Sequence, residues 1–464
     1  MKRILAAAAV LPLVWACSRK PAVPPGELAD VRRPPEEWLR DESIRLLQEY
    51  VRIDTTAASG EVDGAEFFRR LFECEEIEAE VVCPAPGRCN VLARVPGRRR
   101  DGALLLLNHI DVVDAYAPYW KQAQPFEGKL EKGFLYGRGV YDMKSLGLAQ
   151  ALALVQLQRK GIVPETDILF LGEADEELGQ KWGARWLLEN RRDWFSGVAQ
   201  VLNEGGTTEV ILREPVFWGI ETLQAGYALA EFETPDEPAL KAFAAKHKKI
   251  PAPPSEPHPH VVMGFDMIAN RLTPPLTDLL RHLDRVRSDP AELATLPNRY
   301  GSFLEPRADW SQLYRHPAHP ERTRMYVAIS VPPGVSPGGF LQPILQEARQ
   351  NGFTVLTTMI GEVGAASPYP TPFTDLLKRV TEARYPGVPF GPIPTYGGYT
   401  TSTLLRQKGI PTYGFQPIVT NITDTARRHG NDERIYLRDY VNGVSLLSEV
   451  VEEYAKFPPA SAAH

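Results

Sequence analysis

The sequence predicts an α/β fold, in which a mixed, mostly parallel sheet is flanked by helices and a smaller α+β domain is inserted. Two apolar runs, at residues 103–110 and 167–174, are too short and uniform for amphipathic helices and are typical of buried strands. The segment SLGLAQALALVQLQRKG between them has the pattern of a helix. This order of strand, helix and strand predicts a parallel sheet with helices on its faces.

The chain before and after this unit adds further elements. Apolar residues recur at helical spacing from Pro35 to about Tyr50 and again in GAEFFRRLFECE, and the segments AEVV and NVLARV are strand-like. Near the end of the chain, TDLLKRVTEARY predicts a helix, YGFQP a strand and LRDYVNGVSLLSEVVEEYAKF the final helix. These segments resemble the first part of the chain in character.

The middle of the chain is different. From about Val216 to Pro368 it is richer in proline, and the strand patterns YALAEFET, RMYVAIS and FTVLTTM are separated by helical ones. We therefore predict one domain that is split into residues 36–215 and 367–458. A second, smaller domain, residues 216–366, is inserted between the two parts.

Composition and charge exclude several classes of protein. The 464 residues are 43% hydrophobic and 24% charged, which is ordinary for a globular protein, and the formal net charge is −6. Nucleic-acid binding requires clustered Lys and Arg to neutralise phosphates, and this acidic balance lacks such a surface. We therefore expect a folded enzyme with no nucleic-acid partner.

The N-terminus has the pattern of an export signal. Lys2 and Arg3 precede an apolar run that is too short to span a bilayer, so residues 1–17 read as a signal peptide. The segment Val14-Trp15-Ala16-Cys17 resembles a bacterial lipobox, which predicts a lipidated Cys17 and a membrane contact through this anchor only. The Pro-rich residues 18–35 predict an extended tether. We expect a lipoprotein of the bacterial cell envelope, and a periplasmic or secreted protein with an ordinary signal peptide is the alternative.

Three further cysteines, Cys74, Cys83 and Cys89, can oxidise in an exported protein. Cys83 and Cys89 flank the segment PAPG between two strand-like runs, so the spacing permits a hairpin disulfide but does not require one. No C-x-x-C pair is present, which argues against a zinc site made of thiolates.

Polar residues follow directly on the predicted strands, where open α/β sheets hold their ligands. His109 and Asp111 follow the first run, and alternation along an extended chain turns both to the same side. Asp111 can therefore orient the ring of His109 as a metal ligand. Asp142, in GRGVYDMK, precedes the long helix, where an isolated aspartate is more often a cap than a ligand.

Three further motifs carry the remaining candidates. Glu176 and Glu177 belong to a run of three carboxylates after the second apolar run, Glu204 lies in NEGG, and His429 lies in HGNDE. Neighbouring carboxylates repel one another, so such a run is either a solvated turn or a cation site.

Taken in order, the motifs are similar to those of one known family. The similarity covers most of residues 40–455 and includes NHIDVVDA, YGRGVYDMKS, GEADEELG, NEGG, GIPTYGFQP and RHGNDERI. The family is that of the di-zinc metallopeptidases, with carboxypeptidase G, carboxypeptidase S, aminoacylase, acetylornithine deacetylase and succinyl-diaminopimelate desuccinylase. The resemblance implies that the split domain is a zinc exopeptidase-like catalytic domain. It also implies that the inserted domain is a lid or dimerisation domain, which in many members forms a homodimer.

The resemblance also implies roles for the residues above. Two Zn²⁺ ions, for which Co²⁺ or Mn²⁺ could substitute, would share a water that attacks the amide carbonyl. Glu176 would act as general base, and Asp111 would support His109 without touching metal. The implied ligands are His109 and Glu204 for one ion, Glu177 and His429 for the other, and Asp142 as the bridge.

The chain departs from the family at the substrate contacts. The family's histidine in the inserted domain is missing, and His258 and His260 are either its substitutes or surface-loop residues. Near RMYVAISVPPG, where the family usually has an arginine that pairs with the substrate carboxylate, this chain has Ile329-Ser330. The loss of that guanidinium argues against a standard free-carboxylate substrate. A GGTDS-like segment is altered but still predicts contacts with substrate, through Gly397, Gly398, Thr400 and Thr401.

We therefore expect a hydrolase that acts on a small dipeptide, an N-acyl amino acid or a related amide. The alternatives are a non-catalytic lipoprotein that keeps the fold for binding, and an aminopeptidase of another family with a single zinc. The fold by itself does not specify the substrate.

Overall fold

The structure is a computed structural model that describes residues 25–456 apart from residues 212–213, 253, 317–318 and 362. The predicted signal peptide, Cys17 and the start of the Pro-rich segment lie outside the described residues. Among the helices of the described part, none has both the length and the apolar character that a membrane span requires.

The described chain forms sixteen strands and seventeen α-helices, together with four short 3-10 or π-helical segments. The strands are β1 (Glu78–Ala85), β2 (Arg88–Val95), β3 (Arg99–His109), β4 (Lys129–Glu131), β5 (Phe134–Tyr136), β6 (Thr166–Glu173), β7 (Val198–Asn203), β8 (Thr207–Ile211), β9 (Glu214–Ile220), β10 (Gly226–Thr234), β11 (Arg307–Trp310), β12 (Thr323–Val331), β13 (Thr354–Ile360), β14 (Phe390–Pro392), β15 (Thr412–Gly414) and β16 (Arg434–Tyr436). The helices are α1 (Pro25–Arg32), α2 (Pro35–Trp38), α3 (Glu42–Val51), α4 (Val62–Cys74), α5 (Ser145–Arg159), α6 (Ala184–Asn190), α7 (Glu237–Lys246), α8 (Pro259–Ala269), α9 (Leu276–Arg281), α10 (Leu283–Ser288), α11 (Pro290–Thr295), α12 (Asn298–Gly301), α13 (Gly338–Gln350), α14 (Pro372–Arg384), α15 (Thr401–Gln407), α16 (Ile422–Thr425) and α17 (Leu437–Lys456).

The central sheet confirms the predicted fold class. Its six strands run in the order β1-β2-β6-β3-β7-β15. Strand β3 pairs in parallel with β6 and β7, β7 pairs in parallel with β15, and β1 and β2 add an antiparallel edge. Leu104 and Leu106 of β3 pack into one core cluster, and Leu105 and Leu107 pack into another. Burial on both faces explains why this run is uniformly apolar.

A second, four-stranded antiparallel sheet lies in the middle of the chain, with the order β11-β12-β10-β13. One face of this sheet packs against α7 and α13, through residues such as Phe243 and Leu345. Helices α8 to α12 form a separate apolar cluster with Phe217 of β9 and Ile393. Strand β9 itself pairs with β8 and β14 and does not join this sheet. The domain boundaries given above remain predictions.

The described N-terminal region differs from the sequence prediction in two ways. Residues 25–32 are helical, so the expectation of an extended tether is wrong for this part. Asp30 is buried and accepts a hydrogen bond of 2.6 Å from Arg438, which fastens this helix to α17. The predicted helix from Pro35 to Tyr50 is two helices, because Asp41 caps a new helix by accepting from the Ser43 N–H.

The cysteines settle the alternative that the sequence left open. Cys83 and Cys89 form a disulfide at the β1–β2 hairpin, and Cys74 is an exposed free thiol at the end of α4.

Candidate active site

The candidate residues meet at one edge of the central sheet. His109 is the last residue of β3 and pairs in register with Glu173, the last residue of β6, and β7 ends at Asn203. Because parallel strands end at the same edge, the segments that follow them converge there. Glu176 and Glu204 lie on two of these segments.

Asp142 lies between the two histidines. One of its carboxylate oxygens is 3.2 Å from Nε2 of His109, and the other is 3.1 Å from Nε2 of His429. Nε2 of His109 is also 3.9 Å from Glu204, and Nε2 of His429 is 3.0 Å from Glu177. The five predicted ligands therefore form two groups of three that share Asp142, and within each group the possible ligand atoms lie within 4.8 Å of one another.

A buried glutamate that the sequence analysis did not single out fixes the turn that carries Asp142. Glu433 accepts hydrogen bonds from the backbone N–H groups of Gly139, Tyr141 and Asp142 and from the side chain of Arg138, at 2.6 to 3.2 Å. It lies in the RHGNDERI motif, but an acidic residue before a helix has no local feature that distinguishes this role. The backbone of Asp142 is therefore held by the carboxylate of Glu433, while its own carboxylate faces the two histidines.

Asp111 supports the site in a different way from the one predicted. The nearest partner of Nδ1 of His109 is the main-chain oxygen of Asp111, at 2.8 Å, and the carboxylate is 3.5 Å away. The two carboxylate oxygens instead accept the backbone N–H groups of Glu176 and Glu177, each at 3.0 Å. Asp111 thus orients both the imidazole and the turn that carries the two glutamates.

Glu176 lies beside these groups without belonging to either. Its side chain is buried and accepts a hydrogen bond from Gln180 at 3.3 Å. Burial raises the pKa of Glu176 well above its ordinary value, and the charges of Glu204 and Glu177 add to this effect. A carboxyl group with a raised pKa is suited to taking up and returning a proton near neutral pH.

The clustered carboxylates of the site favour the binding of a cation. Burial and the charge of Asp142 raise the pKa of Glu204 to about 8. Burial opposes protonation of His429, but the carboxylates of Glu177 and Asp142 raise its pKa to about 10. Without an added positive charge, these carboxylates share protons at neutral pH. Imidazole nitrogens and carboxylate oxygens are ligands that zinc accepts, so the donor set fits two divalent cations.

The site opens into a cavity of about 650 Å³. Asp142, Glu176, Glu177, Glu204 and His429 are part of its lining. Of the predicted substrate contacts, three also line it, and these are Gly397, Gly398 and Thr400.

Thr401 does not fit its predicted role as a substrate contact. It is fully buried and is not part of the cavity lining, and its hydroxyl donates a hydrogen bond to the carboxylate of Glu173. It follows Thr400 as the first residue of α15, where its side chain turns into the protein.

Comparison with known families decides the affiliation of the chain. The sequence profile of Peptidase family M20/M25/M40 matches residues 105–453, which is more than half of the chain. The chain belongs to this family. Membership confirms the resemblance inferred from the motifs and supports the predicted hydrolase class.

Individual members of the M20 family are distant from this chain. A probable succinyl-diaminopimelate desuccinylase of Staphylococcus aureus is 32% identical over 148 residues, which are 32% of this chain and 36% of that protein. The chain therefore spans only about a third of this relative's length. Aminoacylase-1 of Sus scrofa is 22% identical over 440 residues, which are 90% of this chain and 96% of that protein.

A solved structure supports the fold. The M20 family metallo-carboxypeptidase Sso-CP2 from Sulfolobus solfataricus superposes with a TM-score of 0.63 at 18% identity. The superposition covers 89% of this chain and 99% of that one. At this identity, the likeness concerns the fold alone.

The two histidines considered as substitutes in this M20 protein lie outside the cavity lining. His260 is buried in α8, where its Nδ1 lies 2.9 Å from the hydroxyl of Thr222, so the surface-loop alternative is wrong for this residue. Burial lowers the pKa of His260 to about 4. His258 caps the N-terminus of α8. Both have structural roles, which their polar, proline-rich sequence context did not indicate.

Two arginines that line the cavity bear on whether the substrate can carry a free carboxylate. Ile329 and Ser330 lie where the family usually has an arginine, which predicts the loss of a guanidinium contact for a free-carboxylate substrate. The structure places Arg299 of α12 and Arg428 on the cavity wall, and Nε of Arg428 is 3.8 Å from the carboxylate of Asp142. Guanidinium groups are therefore present from other segments, and that argument does not hold.

Proposed function

We propose that this M20 family member is a zinc-dependent hydrolase that cleaves a peptide or N-acyl amide bond in a small substrate. The observation that carries the proposal is the carboxylate of Asp142, which faces His109 with one oxygen and His429 with the other. A bridging carboxylate between two imidazoles holds two cations close together.

The proposed ligands follow from the two groups of donor atoms. His109, Asp142 and Glu204 would hold one cation, and Asp142, Glu177 and His429 would hold the other. Zn²⁺ suits these donors, and Co²⁺ or Mn²⁺ could replace it. When bound, a pair of such ions polarises the amide carbonyl and increases the acidity of a shared water.

The protein itself supplies proton transfer and position. Glu176 takes the proton from the attacking water and delivers it to the amide nitrogen as the carbon–nitrogen bond breaks. Asp111 fixes the backbone of Glu176 and orients His109, and Glu433 fixes the turn of Asp142. These contacts preorganise the site before substrate arrives.

Replacement of Glu176 tests the proposal. We expect Glu176→Gln to bind two zinc ions per chain, by elemental analysis, while hydrolysis of dipeptides and N-acyl amino acids falls by about 100-fold or more. Glu189→Gln, on the exposed end of α6, serves as the control and should keep wild-type activity. Wild-type activity in Glu176→Gln, or no hydrolysis by the zinc-loaded wild type, would contradict the proposal.

The same metal analysis separates the alternatives. A single-zinc aminopeptidase would bind one ion per chain, whereas the second group around His429 supports two. A non-catalytic binding protein would show no dependence of turnover on Glu176. No observation of the described residues favours this second alternative.

The cellular location remains a proposal that the cysteines support. We propose that the protein is exported and lipidated at Cys17, because residues 1–17 have the signal pattern. The disulfide between Cys83 and Cys89 supports an oxidising compartment. Labelling of growing cells with a fatty-acid probe should mark the wild-type protein and leave Cys17→Ala unmarked.

A homodimer through the inserted domain also remains a proposal. Strand β13 is an edge of the second sheet, and Leu356 and Ile360 on this strand are 38% and 40% exposed. An unpaired edge with apolar side chains supports association with a second copy. Sedimentation analysis of the protein in solution tests this proposal directly.

A further inference from the structure

The second sheet presents an apolar surface to the catalytic cavity. Its core face carries Ala228, Ala230 and Phe232 of β10, which pack against α7 and α13. Leu229, between them in sequence, points to the opposite face and lines the cavity. It pairs directly with Met359 of β13, which lines the cavity as well. The sheet therefore contributes two paired aliphatic side chains to the wall of the cavity.

Other elements continue this apolar wall. Aromatic side chains from the second sheet and from the loop before α15 line the cavity, namely those of Tyr227, Tyr396 and Tyr399. The helical segment between β10 and β11 adds Phe265, Ile268 and Phe303, which belong to one apolar cluster. Three elements that are distant in sequence thus converge on one apolar part of the cavity.

The charged groups of the lining have a different distribution. Most belong to the catalytic edge of the sheet, where Glu176, Glu204 and Arg428 lie among the proposed ligands. Arg299 is the exception, and its guanidinium lies over the ring of Tyr300 at 4.8 Å. The paired side chains of Leu229 and Met359 offer no partner to a charged substrate group, which would lose hydration against them without compensation.

We propose that the substrate carries an apolar group next to the scissile amide and that Leu229 and Met359 determine this specificity. The inference rests on the proposed function, because the apolar wall and the catalytic groups line the same cavity. The apolar group is either the acyl chain of an N-acyl amino acid or a hydrophobic side chain of a dipeptide. Both sources have the same chemistry, and burial of apolar surface drives their binding.

Two substrate series test the proposal with the zinc-loaded full chain. The first consists of N-acetyl-, N-butanoyl-, N-hexanoyl- and N-octanoyl-alanine, with N-succinyl-alanine as the charged counterpart of the butanoyl compound. The second consists of dipeptides with side chains of increasing length. In at least one series we expect kcat/KM to rise roughly fourfold per added methylene. The series that shows this rise identifies the source of the apolar group.

Variants of the wall connect this preference to the structure. Leu229→Ser and Met359→Ser should each lower the ratio of kcat/KM for the longest preferred substrate to that for the shortest by about tenfold. Met263→Ser is the matched control, because Met263 is 41% exposed on α8 and does not line the cavity. A flat dependence in both series, a preference for the succinyl compound, or variants that behave like the control would overturn the inference.

A binding measurement keeps this test separate from that of the proposed function. Calorimetric titration of Glu176→Gln with the acyl and dipeptide series should show the same increase in affinity with chain length. If the wild type hydrolyses no substrate, the proposed function fails, and the titration still decides the inference. If hydrolysis occurs without any gain from apolar length, the inference fails and the proposed function stands.

Discussion

Two buried carboxylates that belong to neither group of candidate ligands organise the candidate site. Glu433 fixes the turn of Asp142 by accepting hydrogen bonds from three backbone N–H groups. Glu173 likewise joins two segments, the starts of α6 and α15. Glu173 accepts a hydrogen bond of 2.7 Å from the N–H of Ala184 and another from the hydroxyl of Thr401. The two glutamates lie in the motifs GEADEELG and RHGNDERI, but the sequence does not indicate these roles, because burial and backbone partners are decided by the fold. The motifs did identify His109, Asp142 and His429, whose residue types suit metal.

Glu173 gives a prediction at this scale. Burial raises its pKa to about 7 from the ordinary 4.5, so the folded protein holds a proton that the unfolded chain has released. Stability from this group is therefore present at low pH and falls as the pH rises from 4.5 to 7. Glu173→Gln cannot titrate, and its free energy of unfolding relative to wild type should rise by up to about 3 kcal/mol between pH 5 and pH 8.

Urea unfolding at the two pH values measures this difference. Glu49→Gln, on the exposed side of α3, is the control and should follow the wild-type dependence on pH. Parallel curves for Glu173→Gln and wild type would show that the carboxyl group keeps its ordinary pKa in the fold.

At the scale of elements, close approaches fix the segments around the cavity. The last helix, α17, packs at Gly443 against the loop that contains Ile418, a residue of the cavity lining. A Cβ atom added at Gly443 would lie 2.5 Å from Cγ1 and 2.9 Å from Cα of Ile418. The periodicity of α17 was predicted correctly, but this contact depends on a segment that is distant in the fold.

Gly443→Ala should therefore destabilise the protein, against the usual trend. Alanine normally stabilises a helix interior by ~0.5–1 kcal/mol relative to glycine, whereas overpacking costs ~1–3 kcal/mol. Because backbone atoms of Ile418 are in the way, we expect a net loss of about 1–2 kcal/mol in the free energy of unfolding. Gly339→Ala in α13, with no heavy atom within 4 Å, should be neutral or stabilising. Equal effects of the two substitutions would contradict the close packing of α17.

At the scale of the whole molecule, folding gathers like charges that bound cations would balance in place of protons. The candidate ligands come from five segments, between His109 and His429. In the metal-free protein, their repulsion opposes folding, and bound ions stabilise the folded state by mass action.

Thermal unfolding with and without metal tests this balance through Glu204→Gln. In the presence of a chelator and at a pH above 8, where this carboxyl group is ionised, the substitution removes a repelling charge and should raise the unfolding temperature. With excess zinc, it removes a ligand and should lower the unfolding temperature relative to wild type. For each ion at a free concentration about 100-fold above its Kd, wild type should gain about 2.7 kcal/mol. A shift of the same sign under both conditions would argue against a metal role for Glu204.

The sequence by itself determined the fold class, most of the longer helices and strands and the family, because strand and helix periodicities are local and the motifs keep their order. The resemblance of these motifs to the family identified the five candidate ligands and Glu176. Only the tertiary structure decided that Asp111 orients His109 through its main chain, that Thr401 is buried, and that Leu229 and Met359 line the cavity. These features depend on which segments meet and which face each side chain takes, and neither is encoded in a local pattern.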